Sequence, residues 1–421
     1  MKRIRYLVLF LGLAAGAAVL SYLLSKDAGP EGPGFTPGRR LEFTHEGKGH
    51  EVHISPPAVT IDRHGNVYAA WISAGEHGND VYVLKSGPDG MKPVRVNPEG
   101  LSADSIHQSP GIAAGPRGEI YVSWSSSKPR PEGVLFASDL RLSRSLDGGL
   151  TFDSGAVINE DKPISHSFEG IAVDGNGDVL VAWIDSREGW DKASTYITRI
   201  TGQGTVPGGE TKLGGETCVC CRVSVAAGPD GMEAVLWRKV FEDNLRDMVL
   251  ALRTGGGPFM DGVVRSDGWK IEGCPHRGGE VAIDGNGEIY VFWYTEGSDG
   301  IPRLLFSRSR DSVVFPEPLR IDEPRGSIPD LPGMAVNGRG DVALVWEEST
   351  AVRRSIYVRM SGDGGKSFGE PVVVSKAVKS FAPDIAAAPD GGFVLTWHEE
   401  HFPSIVTVLQ YINPDNSDGK E

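Results

Sequence analysis

One pattern is written seven times along this chain, and it narrows the fold more than any other feature. A short apolar segment leads into an Asp/Asn/Gly turn, and a second apolar segment closes on tryptophan. The copies are PAVTIDRHGNVYAAW (closing on Trp71), PGIAAGPRGEIYVSW (Trp124), EGIAVDGNGDVLVAW (Trp183), VSVAAGPDGMEAVLW (Trp237), GEVAIDGNGEIYVFW (Trp293), PGMAVNGRGDVALVW (Trp346) and PDIAAAPDGGFVLTW (Trp397). Seven of the nine tryptophans fill this one position, 51 to 59 residues apart. That period is the length of a propeller blade. The turn needs positive φ, which Gly and Asn adopt cheaply. The flanking segments alternate apolar and polar, or run apolar where both faces are covered, as strands do. One such sheet cannot bury both its faces, whereas seven packed around an axis can.

Each copy runs on into a third strand, such as ASDLRLSRS, RLLFSRS or SIYVRMS, and a fourth, such as GAVIN, PLRID or PVVVS. The last copy has a third strand, IVTVLQYI, and little after it, while HEVHIS stands before the first copy as a spare strand. The expected fold is therefore all-β. It is a seven-bladed β-propeller of four-stranded blades over residues 41–412, closed by an N-terminal strand that completes the last blade. A six-bladed ring with one irregular copy is the alternative. The 56 glycines in 421 residues suit a single turn-rich β domain of this size. A polar tail, 413–421, follows it.

The first 25 residues read as a separate element. Tyr6 to Leu24 carry no charge and could cross a bilayer as a helix, with Lys2, Arg3 and Arg5 on the cytoplasmic side. This predicts an N-terminal transmembrane helix, or signal anchor, over 1–25 and a Gly/Pro-rich linker over 26–40. The propeller would then lie outside the cytoplasm, in a bacterial periplasm or at the cell surface. Cleavage near the small residues Ala14 to Ala18 would instead release it as a secreted protein. No cysteine lies near this segment, which excludes a lipoprotein anchor. A net charge of −14 repels phosphate backbones and argues against nucleic acid as a partner. No oligomer signal is present.

Two turns between third and fourth strands carry a fuller motif. Ser145-Leu-Asp147-Gly-Gly149-Leu-Thr-Phe152 and Ser361-Gly-Asp363-Gly-Gly365-Lys-Ser-Phe368 are complete S-x-D-x-G-x-T/S-F boxes, and Ser309-Arg-Asp311 with Phe315 is a worn third. They resemble the Asp boxes (BNR repeats) of the sialidase superfamily. The resemblance implies a propeller in which these residues make a structural turn. It also implies what catalysis would require: a three-arginine clamp with one arginine on an early blade, a Tyr–Glu nucleophile pair and an acid/base Asp. The early blade here reads His53-Ile-Ser-Pro-Pro-Ala58, without arginine.

In a propeller the loops before the inner strands and after the tryptophan strands share the face that rims the channel. Seven of the ten histidines are expected there. Weak catalytic candidates are Asp185, Arg187, Arg238, Arg246 and Asp247, with Tyr294 and Glu296 for glycoside chemistry. His107, His166, Arg222, His276, Arg277 and Trp269 are expected on the ligand face. Counting back five residues from Ile112, Ile171, Val225 and Val281 gives His107, His166, Cys220 and His276. Such a set on four neighbouring blades would suit copper or zinc. The four cysteines, Cys218, Cys220, Cys221 and Cys274, outside the cytoplasm point to disulfide use first. Cys218 and Cys274 hold equivalent places on adjacent blades and could staple them. The run from CVCCR to CPHR resembles a bacterial sialidase-like subgroup with a C-x-C-C…C-P cysteine cluster.

Three functions stay open on these residues. The first is a module or scaffold that binds glycan or protein at the channel face. The second is an exo-sialidase or other glycoside hydrolase. The third is a metal-binding or redox protein using the His/Cys rim.

Overall fold

The computed structural model describes residues 35–46, 52–75, 78–87, 91–201, 209–310 and 312–414. They form seven four-stranded antiparallel sheets, each in simple up-and-down order. The ring is thus seven-bladed, and the six-bladed alternative falls. The inner strands are Ala58–Ile61, Gly111–Ala114, His166–Val173, Ser224–Ala227, Gly279–Ile283, Ile328–Val336 and Ser380–Ala387, for blades 1 to 7 in turn.

Ring closure uses the N-terminus, through an earlier segment than HEVHIS. The strand Phe35–His45 pairs antiparallel with Ser404–Pro414 and completes blade 7. Residues Phe35 to Arg40, at the end of the expected linker, are part of it. Of HEVHIS, the described residues contribute only an isolated bridge, Ile54 to Ser73. The segment 1–25 lies outside the described residues, as do most of the tail and Asp311. No helix among the described residues is long and apolar enough to cross a membrane.

Burial explains the repeat. All seven closing tryptophans are at most 2% exposed. Seven buried apolar clusters each straddle two consecutive blades, the last joining Val394 and Leu409 of blade 7 to Val59, Val67 and Ala69 of blade 1. Truncating one such tryptophan to alanine costs about 3–5 kcal/mol in a close-packed core. In three copies the buried indole N–H is satisfied two residues on. Trp183 donates to Asp185, Trp346 to Glu348 and Trp397 to Glu399.

The Asp boxes are turns, as their resemblance implies. Asp147 Oδ1 accepts from Ser145 Oγ (2.7 Å) and from the backbone N–H groups of Leu150 and Thr151 (both 3.0 Å). Asp363 repeats this arrangement with Ser361, Lys366 and Ser367. Gly149 has φ +85°, and a Cβ there would come within 2.9 Å of the Tyr68 ring. Gly365 meets Phe306 in the same way, while Phe368 packs edge-on against Phe306. These turns sit at the end of the blades opposite the loops that precede the inner strands.

Candidate functional site

The loops before the inner strands of all seven blades and the residues that follow them converge on the axis, with Pro56 and Pro57 coming from blade 1. They line a cavity of about 180 Å³ that includes His107, Gln108 and Ser109 of blade 2, Phe168 of blade 3, and Cys220 and Arg222 of blade 4. Blade 5 adds His276, Arg277 and Glu280, blade 6 adds Leu331, and blade 7 adds Asp384. Of the residues expected on the ligand face, His107, Arg222, His276 and Arg277 line this cavity.

Arg222 is the hub. Its Nε donates to the Glu169 carbonyl (2.9 Å), and its Nη1 donates to Ser109 Oγ. Three carboxyl groups feel its charge: Glu169, Glu280 and Asp384. Burial and the neighbouring Asp384 push the Glu280 carboxyl up to about 7, against the Ser224 hydroxyl that donates to it at 2.8 Å. Burial also raises Asp384, although its carboxylate accepts from the backbone N–H groups of Val59 and Ile385, each at 2.8 Å. Glu280 and Asp384 therefore keep protons to higher pH than ordinary carboxyls. Arg277 donates to Asp330 (Nε–Oδ1 3.0 Å) and lies over the Tyr294 ring at 4.6 Å.

The weak catalytic candidates do not meet in this cavity. Asp185 is fully buried beneath Trp183, and Arg187 clamps it with bonds of 2.8 and 2.6 Å. Arg187 also pairs with Glu210 and Glu160 and stacks on Tyr196. Arg238 is fully buried, donating to the carbonyls of Arg277, Arg246 and Tyr294. Asp247 is buried and accepts from the Asp267 N–H, and burial raises its carboxyl. Tyr294 does donate to Glu296 (2.7 Å), but at 1% exposure it lies under Arg277, out of reach of a substrate. Only two arginines line the cavity, so no three-arginine clamp is assembled among the described residues.

Two expectations need correction. Trp269 is 1% exposed and packs under Arg238 and against Tyr294, so it is a packing residue and not part of the ligand face. His166 also leaves the proposed metal set. It is fully buried between blades 2 and 3, with Nδ1 2.6 Å from the Ser138 carbonyl and Nε2 3.5 Å from Asp185. The cause is a bulge between Ser167 and Gly170, where Phe168 takes φ +58°. The extra residue shifts the register, so the same offset from the core residue no longer gives the same height. The set His107/His166/Cys220/His276 does not converge.

The cysteines form a different group. Cys218, Cys220 and Cys221 are buried with their sulfurs together, Cys218 lying 3.8 Å from Cys220 and 3.3 Å from Cys221. All four cysteines are free, and Cys274 is exposed, so the Cys218–Cys274 staple is not formed here. The S–H groups of Cys220 and Cys221, with the Arg246 guanidinium, hold the Cys218 thiol well below its usual range. The same contacts push Cys220 up, and burial pushes Cys221 up.

A larger cavity, about 410 Å³, lies between blades 3 and 4 at the opposite end. Its charged groups satisfy one another: Arg199 pairs with Asp174 (2.7 Å) and Asp178 (2.9 Å), and Arg199 and Arg253 share Glu233. That arrangement is a tie between blades.

No protein-family model matches the sequence, and no curated protein matches it. Solved structures do match in fold. The polysaccharide lyase Uly1 superposes with TM-score 0.55 at 14% identity, covering 86% of this chain and 90% of its own. A protein of unknown function from Dyadobacter fermentans gives 0.54 at 11% identity, covering 91% and 100%. The microbial sialidase Hz136 gives 0.47 at 13% identity, covering 82% and 76%. At these identities the likeness to Uly1 and to the Dyadobacter protein is one of fold.

Proposed function

We propose that this chain is an extracytoplasmic glycan-binding propeller, held at a bacterial membrane by residues 1–25, with its ligand at the axial cavity. The observation that carries the reading is Arg222 set among Glu169, Glu280 and Asp384 at a cavity built by all seven blades. Donors and acceptors converging on a small concave site are what a hydroxyl-rich ligand requires. At about 180 Å³ the cavity admits one terminal sugar residue and not a buried chain. An aromatic pair supports the same reading. Phe136 and Trp190, 53% and 38% exposed with ring centroids 5.2 Å apart, stand on the loops after the second strands of blades 2 and 3. Exposed aromatic faces of this kind take the apolar face of a sugar ring. The fold-related Uly1 acts on a polysaccharide.

A second reading, cleavage of the bound glycan, is favoured by one observation. Glu280 is pushed up to about 7 beside a second carboxyl, Asp384, and a raised carboxyl is what a glycosidase uses as its general acid.

A glycan array of neutral and acidic oligosaccharides, probed with the purified protein, tests both. Binding to a defined class, lost at least tenfold in Glu280→Gln and Arg277→Ala, is the expected result. Release of free sugar from the hits, abolished by Glu280→Gln, would move the protein to the second reading. Hits that both variants retain would place the ligand elsewhere and overturn the proposal.

A further inference from the structure

The three buried thiols are not explained by glycan binding, and their surroundings are unusual. Cys218 to Cys221 is a tight turn in which the Cys221 N–H meets the Cys218 carbonyl (3.3 Å) and the Cys218 N–H donates to the Arg238 carbonyl (2.9 Å). The turn folds all three sulfurs inward, within 4.8 Å of one another. A metal with thiolate bonds of about 2.3 Å in tetrahedral geometry needs sulfur–sulfur edges of roughly 3.8 Å. The Cys218–Cys220 edge is already 3.8 Å, and the Cys218–Cys221 edge of 3.3 Å would open by a few tenths.

Charge is the second, independent observation. Two guanidinium groups flank the sulfurs, and among the described residues neither is hydrogen-bonded to a carboxylate. Arg246 points Nη1 at Cys218 Sγ (3.3 Å) and Nη2 at the Gly273 carbonyl (3.3 Å), and its Nε is buried without a partner. Arg238 is buried against three carbonyls, and its charge reaches Cys221 on one side and the carboxyls of Asp247 and Asp267 on the other. Arg246, partly buried, has no carboxylate partner among the described residues, which is costly. Three thiolates on a divalent ion carry one net negative charge, and on a monovalent ion two, which supplies an anion beside Arg246.

We propose that Cys218, Cys220 and Cys221 form a tri-thiolate site for a thiophilic metal ion, zinc or cuprous copper, with its open side toward the axial cavity. Cys220 lines that cavity beside His276, which stands at the rim with φ +54°. Phe168 packs against both the thiols and the His276 ring. Loading releases the S–H protons to solvent and changes no oxidation state. Thiolate ligands select these soft ions over magnesium or calcium. Cys274 is exposed and outside the set.

The test uses the full chain, purified under reductant and loaded with Co²⁺ as a spectroscopic stand-in for zinc, then with Zn²⁺ and, anaerobically, with Cu⁺. About one equivalent should bind, with a sulfur-to-cobalt charge-transfer band. Affinity should fall at least tenfold in Cys218→Ser and Cys221→Ser and stay unchanged in Cys274→Ser, with circular dichroism reporting the fold of each. The stronger of the Zn²⁺ and Cu⁺ affinities identifies the ion. Less than a tenth of an equivalent and no cobalt band in the unsubstituted protein would overturn the site, even if the serine variants fail to fold. So would folded serine variants that keep the band. Metal binding does not depend on the glycan reading, so either can fail alone.

Discussion

Glu280 and Asp384 occupy the place in their blades where the other five copies carry Ala58, Gly111, Gly170, Ser224 and Gly333. Small residues dominate there because the neighbouring inner strands close in. A Cβ on Gly170 would meet the Val223 carbonyl oxygen at 2.5 Å. A carboxyl at this position is therefore confined to the channel, and confinement raises its pKa. For Glu280 the sign is clear. The folded protein holds a proton up to about 7 that an unfolded chain releases near 4.5, so wild-type stability falls as pH rises through that window. Glu280→Gln should match the wild type below pH 4.5 and exceed it above pH 7, by on the order of 1 kcal/mol once partial exposure to the cavity is discounted. Urea denaturation at the two pH values measures this, and an equal difference at both would contradict the assignment. Asp185 shows the converse. Its place just after a tryptophan strand, on the face expected to rim the channel, suggested chemistry, but Trp-x-Asp/Glu recurs in three copies, and the recurrence marks an indole partner.

At the scale of elements, the closing blade carries a pH-sensitive chain of hydrogen bonds. His45 on the N-terminal strand bonds Thr407 (2.7 Å), Thr407 bonds His398 Nδ1 (3.1 Å), and His398 Nε2 meets the Ser55 carbonyl (2.9 Å). Burial holds His45 at about 3, helped by His398, and holds His398 at about 4. Both are neutral in the fold at pH 5 and largely protonated in an unfolded chain. Stability is therefore lost as pH falls from about 6.5 toward 4. Replacing His398 with Gln should remove at least about 2 kcal/mol of that loss between pH 7 and 4.5, read from denaturation midpoints of variant and wild type. Parallel curves for the two proteins would contradict it. The seven blades themselves were legible in the sequence because each must bury the same tryptophan against the next blade. The metal set His107/His166/Cys220/His276 was not, because it assumed one register for every inner strand. Bulges in blades 3, 6 and 7, at Phe168, Leu331 and Ala382, break that assumption. Adjacent sulfurs need no cross-blade register, and the C-x-C-C spacing alone could have pointed to them.

On the scale of the whole molecule, the ring separates two ends with different work. One end holds the Asp boxes and the Asp/Asn/Gly turns, where side chains cap backbone and tie blades together. The other gathers His107, Arg222, His276, Arg277, Glu280 and Asp384 from four blades that are distant in sequence. No local motif announces that convergence, because it exists only once the ring has closed through Phe35–His45. The axial cavity is the proposed place of ligand binding. Hydrogen–deuterium exchange, with and without an oligosaccharide that the array identifies, tests it most directly. Protection is predicted at residues 107–109, 168–169, 276–280, 331–333 and 382–384 together, from five blades at once. Protection confined to an outer strand, or to the turns at the opposite end, would contradict it.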